Sequence, residues 1–460
     1  MISPCLSGAM EKIDQLAKAG LFSRNIPRYT SYPTAPQFHE GVGPDFFDGW
    51  VKALPDAAKL SIYVHIPFCE RLCWFCACRT QGVKNLTPVE AYLDVLKVEI
   101  AKLANTIPEG VTIARLHWGG GSPTILQPEH IESLMDSLRE MAPFDPDWEF
   151  SVEIDPAAVN DEKLDALAKA GMTRASIGVQ DFNDEVQKAI GRKQSFEITR
   201  DIVNGLRSRG INSINLDIVY GLPYQDHEAL GKTVAQVIEL NPDRVALFGY
   251  AHVPWMAKRQ KMIPEDSLPG ANDRFDMFNQ AYAAFENAGY VPLGIDHFAK
   301  PGDSLAVAAS EGRLRRNFQG YTDDVCTALV GLGASSISRF PQGYVQNRAT
   351  TNTYAKEIMS GDWSAARGIA MSLDDKLRSR AIETLMCDFF VDLPALSEEF
   401  GALAETLRAD LEKIAAEYPE FTEFDGEKLT IPPIGFHLTR IIACGLDAYH
   451  TSAAKHSLAI

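Results

Sequence analysis

Two rhythms of apolar residues alternate along the chain. Short β-branched or aromatic runs occur at Leu60–Ile66, Ile113–Trp118, Trp148–Ile154, Arg174–Val179, Ser213–Tyr220 and Arg244–Tyr250, with a shorter one at Val291–Ile295. Between them lie stretches of helical period, Pro88–Ala104, Pro128–Met141, Asp161–Ala170, Phe196–Arg209 and His227–Leu240. Strand, helix, strand at intervals of roughly 30 residues predicts parallel pairing, and six or more such units predict an α/β fold built on a full or partial barrel of (β/α)6 type. Chemistry in such barrels sits where the strands end, so the residues just after each run are the ones to inspect.

Outside this rhythm the pattern changes twice. Residues 1–45 form an N-terminal arm: a short amphipathic helix over Gly8–Ala19, then an extended Pro-rich stretch, because X-Pro steps disfavour helix. Residues 46–354 are the barrel. Residues 355–460 turn to capped amphipathic helices, such as those opening at Ser372-Leu-Asp374-Asp375 and Asp392-Leu-Pro394, and a strand-like piece Lys428–Ile431 after Gly426. Helices followed by a small hairpin predict a winged-helix-like appendage, expected to cover the active site.

Composition narrows the function. The 460 residues are 46% apolar and 23% charged, as in a globular enzyme, and hold no apolar run of membrane-spanning length. The first residues lack the basic segment and apolar core of a secretion signal, so a cytoplasmic protein is expected. A net charge of −17 argues against nucleic acid as a partner, since phosphate binding needs clustered Lys and Arg.

Of eight cysteines, four fall within ten residues, at Cys69, Cys73, Cys76 and Cys78. Cys5, Cys326, Cys387 and Cys444 are scattered and read as buried or free thiols. A C-x3-C-x2-C loop suits a [4Fe–4S] cube held by three thiolates, with one iron left open to a small molecule. The alternative is structural zinc, which wants four ligands, normally as two pairs, and no second C-x2-C or H-x3-H pair occurs.

The strand ends supply further candidates. Gly119-Gly120-Gly121-Ser122 lets backbone amides approach a ligand closely, or is an ordinary tight turn. Glu153, Asp155, Gln180, Asp181 and Asp217 follow in turn, each a ligand contact or a cap. His252 and His297 are possible proton donors or core histidines. Arg313, Arg315 and Arg316 beside Phe318 and Tyr321 are the best candidate seat in this acidic chain for a flat polyanion, with a solvated surface turn as the alternative. Gly331–Ser338 reads as a small-residue turn.

Taken together, Arg28-Tyr-Thr-Ser-Tyr-Pro33, the loop Cys69-x3-Cys73-x-Phe75-Cys76-x-Cys78 and Arg316-Asn-Phe-Gln-Gly-Tyr321 resemble the oxygen-independent coproporphyrinogen III oxidase (dehydrogenase) family of radical S-adenosylmethionine (SAM) enzymes, over essentially the whole chain. The resemblance implies one [4Fe–4S] cluster ligated by Cys69, Cys73 and Cys76, and two SAM molecules. The first would be held by Tyr63, Gly120, Glu153 and Ile337. The second would lie near Phe75, Gly121, Ser122, Gln180, Arg192, Asp217 and Ala251. Catalytic roles fall to Tyr63 and to Cys78, which would sit beside the second SAM without ligating iron. The implied substrate is coproporphyrinogen III, with Arg28, Arg313, Arg315, Arg316 and Gln319 as its candidate seat, and two of its propionates would become vinyls. An electron donor, an electron acceptor and a monomeric state complete the expectation. Two positions depart from the family pattern: Ser122 stands where Thr is common, keeping the hydroxyl, and Gly249 where Asn can occur. A haem-binding chaperone of the same superfamily is the nearest rival, but such relatives typically lack both the fourth cysteine and the arm motif.

Overall fold

The computed structural model describes residues 13–450 and Ala459. Cys5 and the first part of the helix expected over Gly8–Ala19 lie outside the described residues, while residues 13–18 are helical.

A twelve-stranded sheet forms the frame. Its strands are β1 (Lys59–Ile66), β2 (Thr112–Gly120), β3 (Phe144–Ile154), β4 (Arg174–Gln180), β5 (Ser213–Tyr220), β6 (Arg244–Gly249), β7 (Val291–Leu293), β8 (His297–Ala299), β9 (Ala328–Leu332), β10 (Ile337–Phe340), β11 (Gly343–Asn347) and β12 (Ala365–Ala370). They lie in the order β12-β11-β10-β9-β1-β2-β3-β4-β5-β6-β8-β7. The run from β9 through β6 is parallel, and antiparallel strands flank it on both sides. Among the described residues the outer strands β12 and β7 do not pair with each other, so the sheet is an open arc, a partial barrel.

The parallel strands divide their side chains by face. On β1, Leu60, Ile62, Val64 and Ile66 are all at most 1% exposed, while Ser61, Tyr63 and His65 alternate with them and line the barrel interior. On β3, Phe150, Val152 and Ile154 are buried, and Glu149, Ser151 and Glu153 line the interior. Aliphatic positions meet the surrounding helices and polar positions meet one another, so the arc encloses a polar chamber. The helices begin where capping chemistry allows. Asn160 accepts from the Lys163 amide at 3.0 Å and Asp226 from the Ala229 amide at 2.8 Å, each worth about 1 kcal/mol of helix stability. Gly171, at φ +99°, ends the first of these helices in the left-handed conformation that glycine adopts freely.

Two segments differ from expectation. Gly331–Ser338, expected as a turn, divides into the end of β9, a turn at residues 333–336 and the start of β10. Its glycines mask the strand, which is specified by pairing with β1 (Ile62 beside Val330) rather than by β propensity. Ala365–Ala370, within the region expected to turn to helices, pairs with β11, so the sheet runs past the boundary expected at 354.

The C-terminal region carries helices Leu373–Asp388, Leu393–Phe400 and Arg408–Glu417 against a small antiparallel sheet of Phe390–Asp392, Lys428–Thr430 and Glu423–Phe424, as a winged-helix-like unit requires. Its core takes in Leu16, Leu21, Ile26, Tyr29 and Tyr32, so the arm packs as part of this unit.

Candidate active site and cysteine loop

A cavity of about 480 Å³ lies within the arc, lined along the length of β1 to β5 and by Phe248 of β6. Tyr63, Cys78, Gly120, Glu153, Asp217, Gln319 and Ile337 all line it, although they come from seven places in the sequence. Adjacent parallel strands project their inward residues at similar heights, so residues 63, 153 and 217 meet without being neighbours in the chain.

Glu153 is the hub. Its Oε2 accepts from the Gly120 amide at 3.0 Å, and its Oε1 lies 3.5 Å from His117 Nε2. Burial pushes this carboxyl up, but His117, the Gly120 N–H and His65 outweigh it and hold Glu153 below the usual glutamate value. Tyr63 stacks on His117, with ring centres 5.7 Å apart at 19°, and its hydroxyl is 3.0 Å from His65 Nδ1. Burial, reinforced by Glu153, pushes the Tyr63 phenol well up, so it stays neutral; burial alone lowers His65. At Gly120, φ +109°, a Cβ would run into the His65 ring, so glycine lets that ring pack directly against the backbone here. Deeper in the barrel, Asp217 accepts from Asn215 Nδ2 at 2.7 Å and from the Ser176 hydroxyl at 3.3 Å. Burial pushes its carboxyl up to about 6, with the Glu153 charge adding to the effect.

The cysteine loop leaves the end of β1 and is pinned on three sides. Phe68–Cys69 pairs with Gln81–Gly82, the Trp74 amide donates to Ile190 O at 2.8 Å, and Gln260 Nε2 donates to Phe75 O at 2.7 Å and to Ala251 O at 3.1 Å. Arg192 Nη1 donates to Cys73 Sγ at 3.5 Å, and the Cys78 amide to Cys76 Sγ at 3.4 Å. Hydrogen bonding from Cys78 holds the Cys76 thiol below its usual range despite burial, while burial and the neighbouring Cys76 and Cys73 push Cys69 up to about 12. Arg192 also keeps a buried Nε with no hydrogen-bond partner among the described residues. N–H donors and a guanidinium facing clustered thiols are what an anionic iron–sulfur group requires of its surroundings. Among the described residues, no three His, Cys, Asp or Glu side chains close around one bare ion.

The other expected residues divide among three places. Gln180, at φ +68°, and Arg192 lie side by side over Gly178, where a Cβ would stand 2.8 Å from the Gln180 amide nitrogen and 3.2 Å from Arg192 Nη2. Phe75 and Ala251 are joined through Gln260, as above. The Ser122 hydroxyl is buried 3.1 Å from Thr124 Oγ1, and the Gly121 amide donates to Ile66 O at 2.8 Å. Arg28 and Arg316 line a second cavity. Arg315 sits 3.9 Å from Glu383, and exposed Arg313 pairs, among the described residues, with Glu311, so the structure does not bring it to the others. Gln319 alone of that segment's candidates reaches the barrel cavity. His297 lines the barrel cavity, whereas His252 is bonded to Tyr250 and Glu265 on the outer loop.

Sequence reasoning missed His65, His117, Ser176 and Asn215 at the site, and the ion-paired layer of Arg115, Glu149 and Arg174 beneath it. The signal was present: each stands two residues along a strand from another inward polar residue, the spacing that puts side chains on one face.

Comparison with known proteins agrees with this geometry. The radical SAM superfamily model matches residues 63–237. An oxygen-independent coproporphyrinogen III oxidase of Cereibacter sphaeroides is 52% identical over 98% of this chain and 100% of its own length. One from Paracoccus denitrificans is 51% identical over the same shares. The solved structure of a radical SAM coproporphyrinogen III oxidase from Escherichia coli matches with a TM-score of 0.88 at 38% identity, covering 93% of this chain and 100% of that one. The chain belongs to the oxygen-independent coproporphyrinogen III oxidase family of radical SAM enzymes.

Proposed function

We propose that this chain oxidatively decarboxylates two propionates of coproporphyrinogen III to vinyls without oxygen, giving protoporphyrinogen IX. The family implies a [4Fe–4S] cluster and SAM, and the finer assignments are our reading. Cys69, Cys73 and Cys76 are the three cluster ligands, and two SAM molecules bind. When bound, the cluster and SAM supply one-electron C–S cleavage and hydrogen-atom abstraction at the propionate β-carbon.

The protein's own part is positioning and charge. Glu153, kept ionised by His117 and the Gly120 amide, would accept from the ammonium of the first SAM, which Tyr63, Gly120 and Ile337 would help to hold. Tyr63 stays a neutral phenol against His117 and offers a hydrogen-bond donor without a second negative charge. Asp217, Gln180 and Arg192, with Phe75, Gly121, Ser122 and Ala251, form the second seat. Cys78, whose thiol is pushed well up by its hydrogen bond to Cys76, keeps its proton at the cavity wall. The balance also requires an electron donor to the cluster and an acceptor for the oxidation.

The convergence of Tyr63, Gly120, Glu153 and Cys78 on one cavity beside the cysteine loop carries the reading. The test is anaerobic rescue of haem synthesis in a host lacking its own oxygen-independent enzyme. Rescue by the intact chain, lost with Glu153→Ala, is expected; no rescue by well-expressed intact chain would overturn it.

A further inference from the structure

Residues 255–262, just after β6, stand out in a chain of net charge −17: they carry three cations, no acid and three large apolar side chains. Trp255, Met256 and Met262 are 53%, 70% and 56% exposed, and Lys258 and Lys261 stand in solvent among them. Apolar anchors ringed by charge are the make-up of a protein interface.

This stretch is fastened to the cysteine loop. Arg259 Nη2 donates to Cys78 O at 3.2 Å and to Thr80 Oγ1 at 2.8 Å, and the buried Gln260 reaches Phe75 O. A second segment, residues 188–193, joins the same loop: Arg71 Nη1 donates to Lys193 O at 2.8 Å, and Ile190 O accepts from the Trp74 amide. Ile190, Ile263, Trp74 and Phe75 share one apolar cluster, so the loop and both segments form a single packed body. Lys188 and Lys193 add exposed cations to it, and Arg79 adds one from the loop itself. Residues 69–80, 184–193 and 255–266 each hold more cations than acids. Their acids are Glu70, Asp184, Glu185, Glu265 and Asp266, of which Glu265 is engaged by His252 at 3.0 Å. Lys188, Lys193, Lys258, Arg259 and Lys261 form no ion pair among the described residues. Uncompensated cations gathered on an otherwise acidic protein create a local positive potential, which steers an acidic partner to that place.

The same loop touches the chamber of the proposed chemistry through Cys78 and this outer face through Arg259 and Gln260. Resting on the function proposed above, we infer that residues 188–193 and 255–262 are the docking face for a small acidic one-electron carrier protein that reduces the cluster. Trp255, Met256 and Met262 supply the apolar contact and the lysines the charged rim, a composition suited to a brief redox encounter. In that step the carrier loses one electron and the cluster gains it; no bond is made or broken and no proton moves.

The test is anaerobic biolayer interferometry of the cluster-loaded full chain with flavodoxin, an acidic flavin carrier, as the probe and cationic cytochrome c as the control of opposite charge. Flavodoxin is expected to bind, with an association rate that falls steeply as salt rises. Lys258→Glu/Lys261→Glu should slow association about tenfold or more at low salt, with the gap closing at high salt. Trp255→Ala should instead speed dissociation. Bleaching of the iron–sulfur absorbance by reduced flavodoxin should slow in parallel, while bleaching by dithionite stays unchanged in both variants and shows that they fold and hold the cluster. Equal flavodoxin kinetics in wild type and both variants, or equal binding of cytochrome c, would overturn the inference. So would a salt-sensitive dimer abolished by the lysine variant, which would assign the face to a second copy of this chain. A failure of the proposed reaction shows separately, as absent vinyl product from dithionite-reduced protein with flavodoxin docking intact.

Discussion

Glu99 allows a quantitative test of how the site is braced. It lies on the helix Thr87–Ala104, fully buried, and its carboxylate accepts from the Gly333 amide at 2.7 Å, the Tyr354 hydroxyl at 2.7 Å and Asn347 Nδ2 at 2.8 Å. Those bonds tie the turn at residues 333–336 to the helix; on the same helix Tyr92 bonds His65 O at 2.8 Å and accepts from the Ala334 amide at 2.9 Å. Burial pushes the Glu99 carboxyl from 4.5 up to about 7, with the three donors opposing the shift. The folded protein therefore holds this proton to higher pH than the unfolded chain does. The associated stability is fully present below about 4.5 and is lost as pH rises through about 7. At 1.36 kcal/mol for each unit, the span is worth about 3 kcal/mol.

Glu99→Gln removes the titration while keeping the shape, at the loss of acceptor capacity toward three donors. Denaturant unfolding of the anaerobic holoprotein, wild type and variant, between pH 5 and 8 isolates the term as the difference between the two curves. Wild type should lose stability relative to the variant by about 2–3 kcal/mol across that range. Parallel curves would refute the reasoning, since they would mean that Glu99 is ionised throughout and that its donors outweigh its burial.

Further outcomes follow from the same geometry. Cys69→Ala, Cys73→Ala and Cys76→Ala should each lose iron and SAM cleavage, whereas Cys78→Ala should keep the iron–sulfur absorbance while turnover falls; iron and sulfide analysis beside product assay decides both. Gly120→Ala places a Cβ into the His65 ring at a φ of +109°, so SAM affinity, read by equilibrium dialysis, should fall at least tenfold with the fold retained, a strain of about 1–3 kcal/mol. Arg244 Nε meets Asp303 Oδ1 at 2.6 Å, with both side chains almost fully buried, and that carboxylate also caps the Leu305 amide. Arg244→Met should therefore cost about 3–5 kcal/mol in chemical denaturation, because it strands a buried charge.

Much of this architecture was legible because two signals coincided. The strand runs led to the cavity, so Gly120, Glu153 and Asp217 could be named from their polar places late in or inside those runs, and the loop Cys69–Cys78 carried its own spacing. What stayed hidden was decided by tertiary pairing. β9 is a strand because β1 lies beside it, and glycines at 331 and 333 conceal that. Within Arg313–Arg316, sequence proximity suggested a single seat, yet the hairpin turns Arg316 inward, leaves Arg315 near Glu383 and sends Arg313 out to Glu311. The arm's Pro-rich stretch left its partner open, and the structure packs Tyr29 and Tyr32 into the C-terminal core. The C-terminal unit, expected to cover the active site, lines the neighbouring cavity through His437 and Arg440.

The central claim is tested most directly by supplying reduced, cluster-loaded protein anaerobically with SAM and coproporphyrinogen III and measuring carbon dioxide, 5′-deoxyadenosine and vinyl-bearing porphyrin together. The account predicts all three, with two carbon dioxide molecules for each protoporphyrinogen IX formed. 5′-Deoxyadenosine without carbon dioxide or vinyl product, in the presence of a competent electron acceptor, would contradict it.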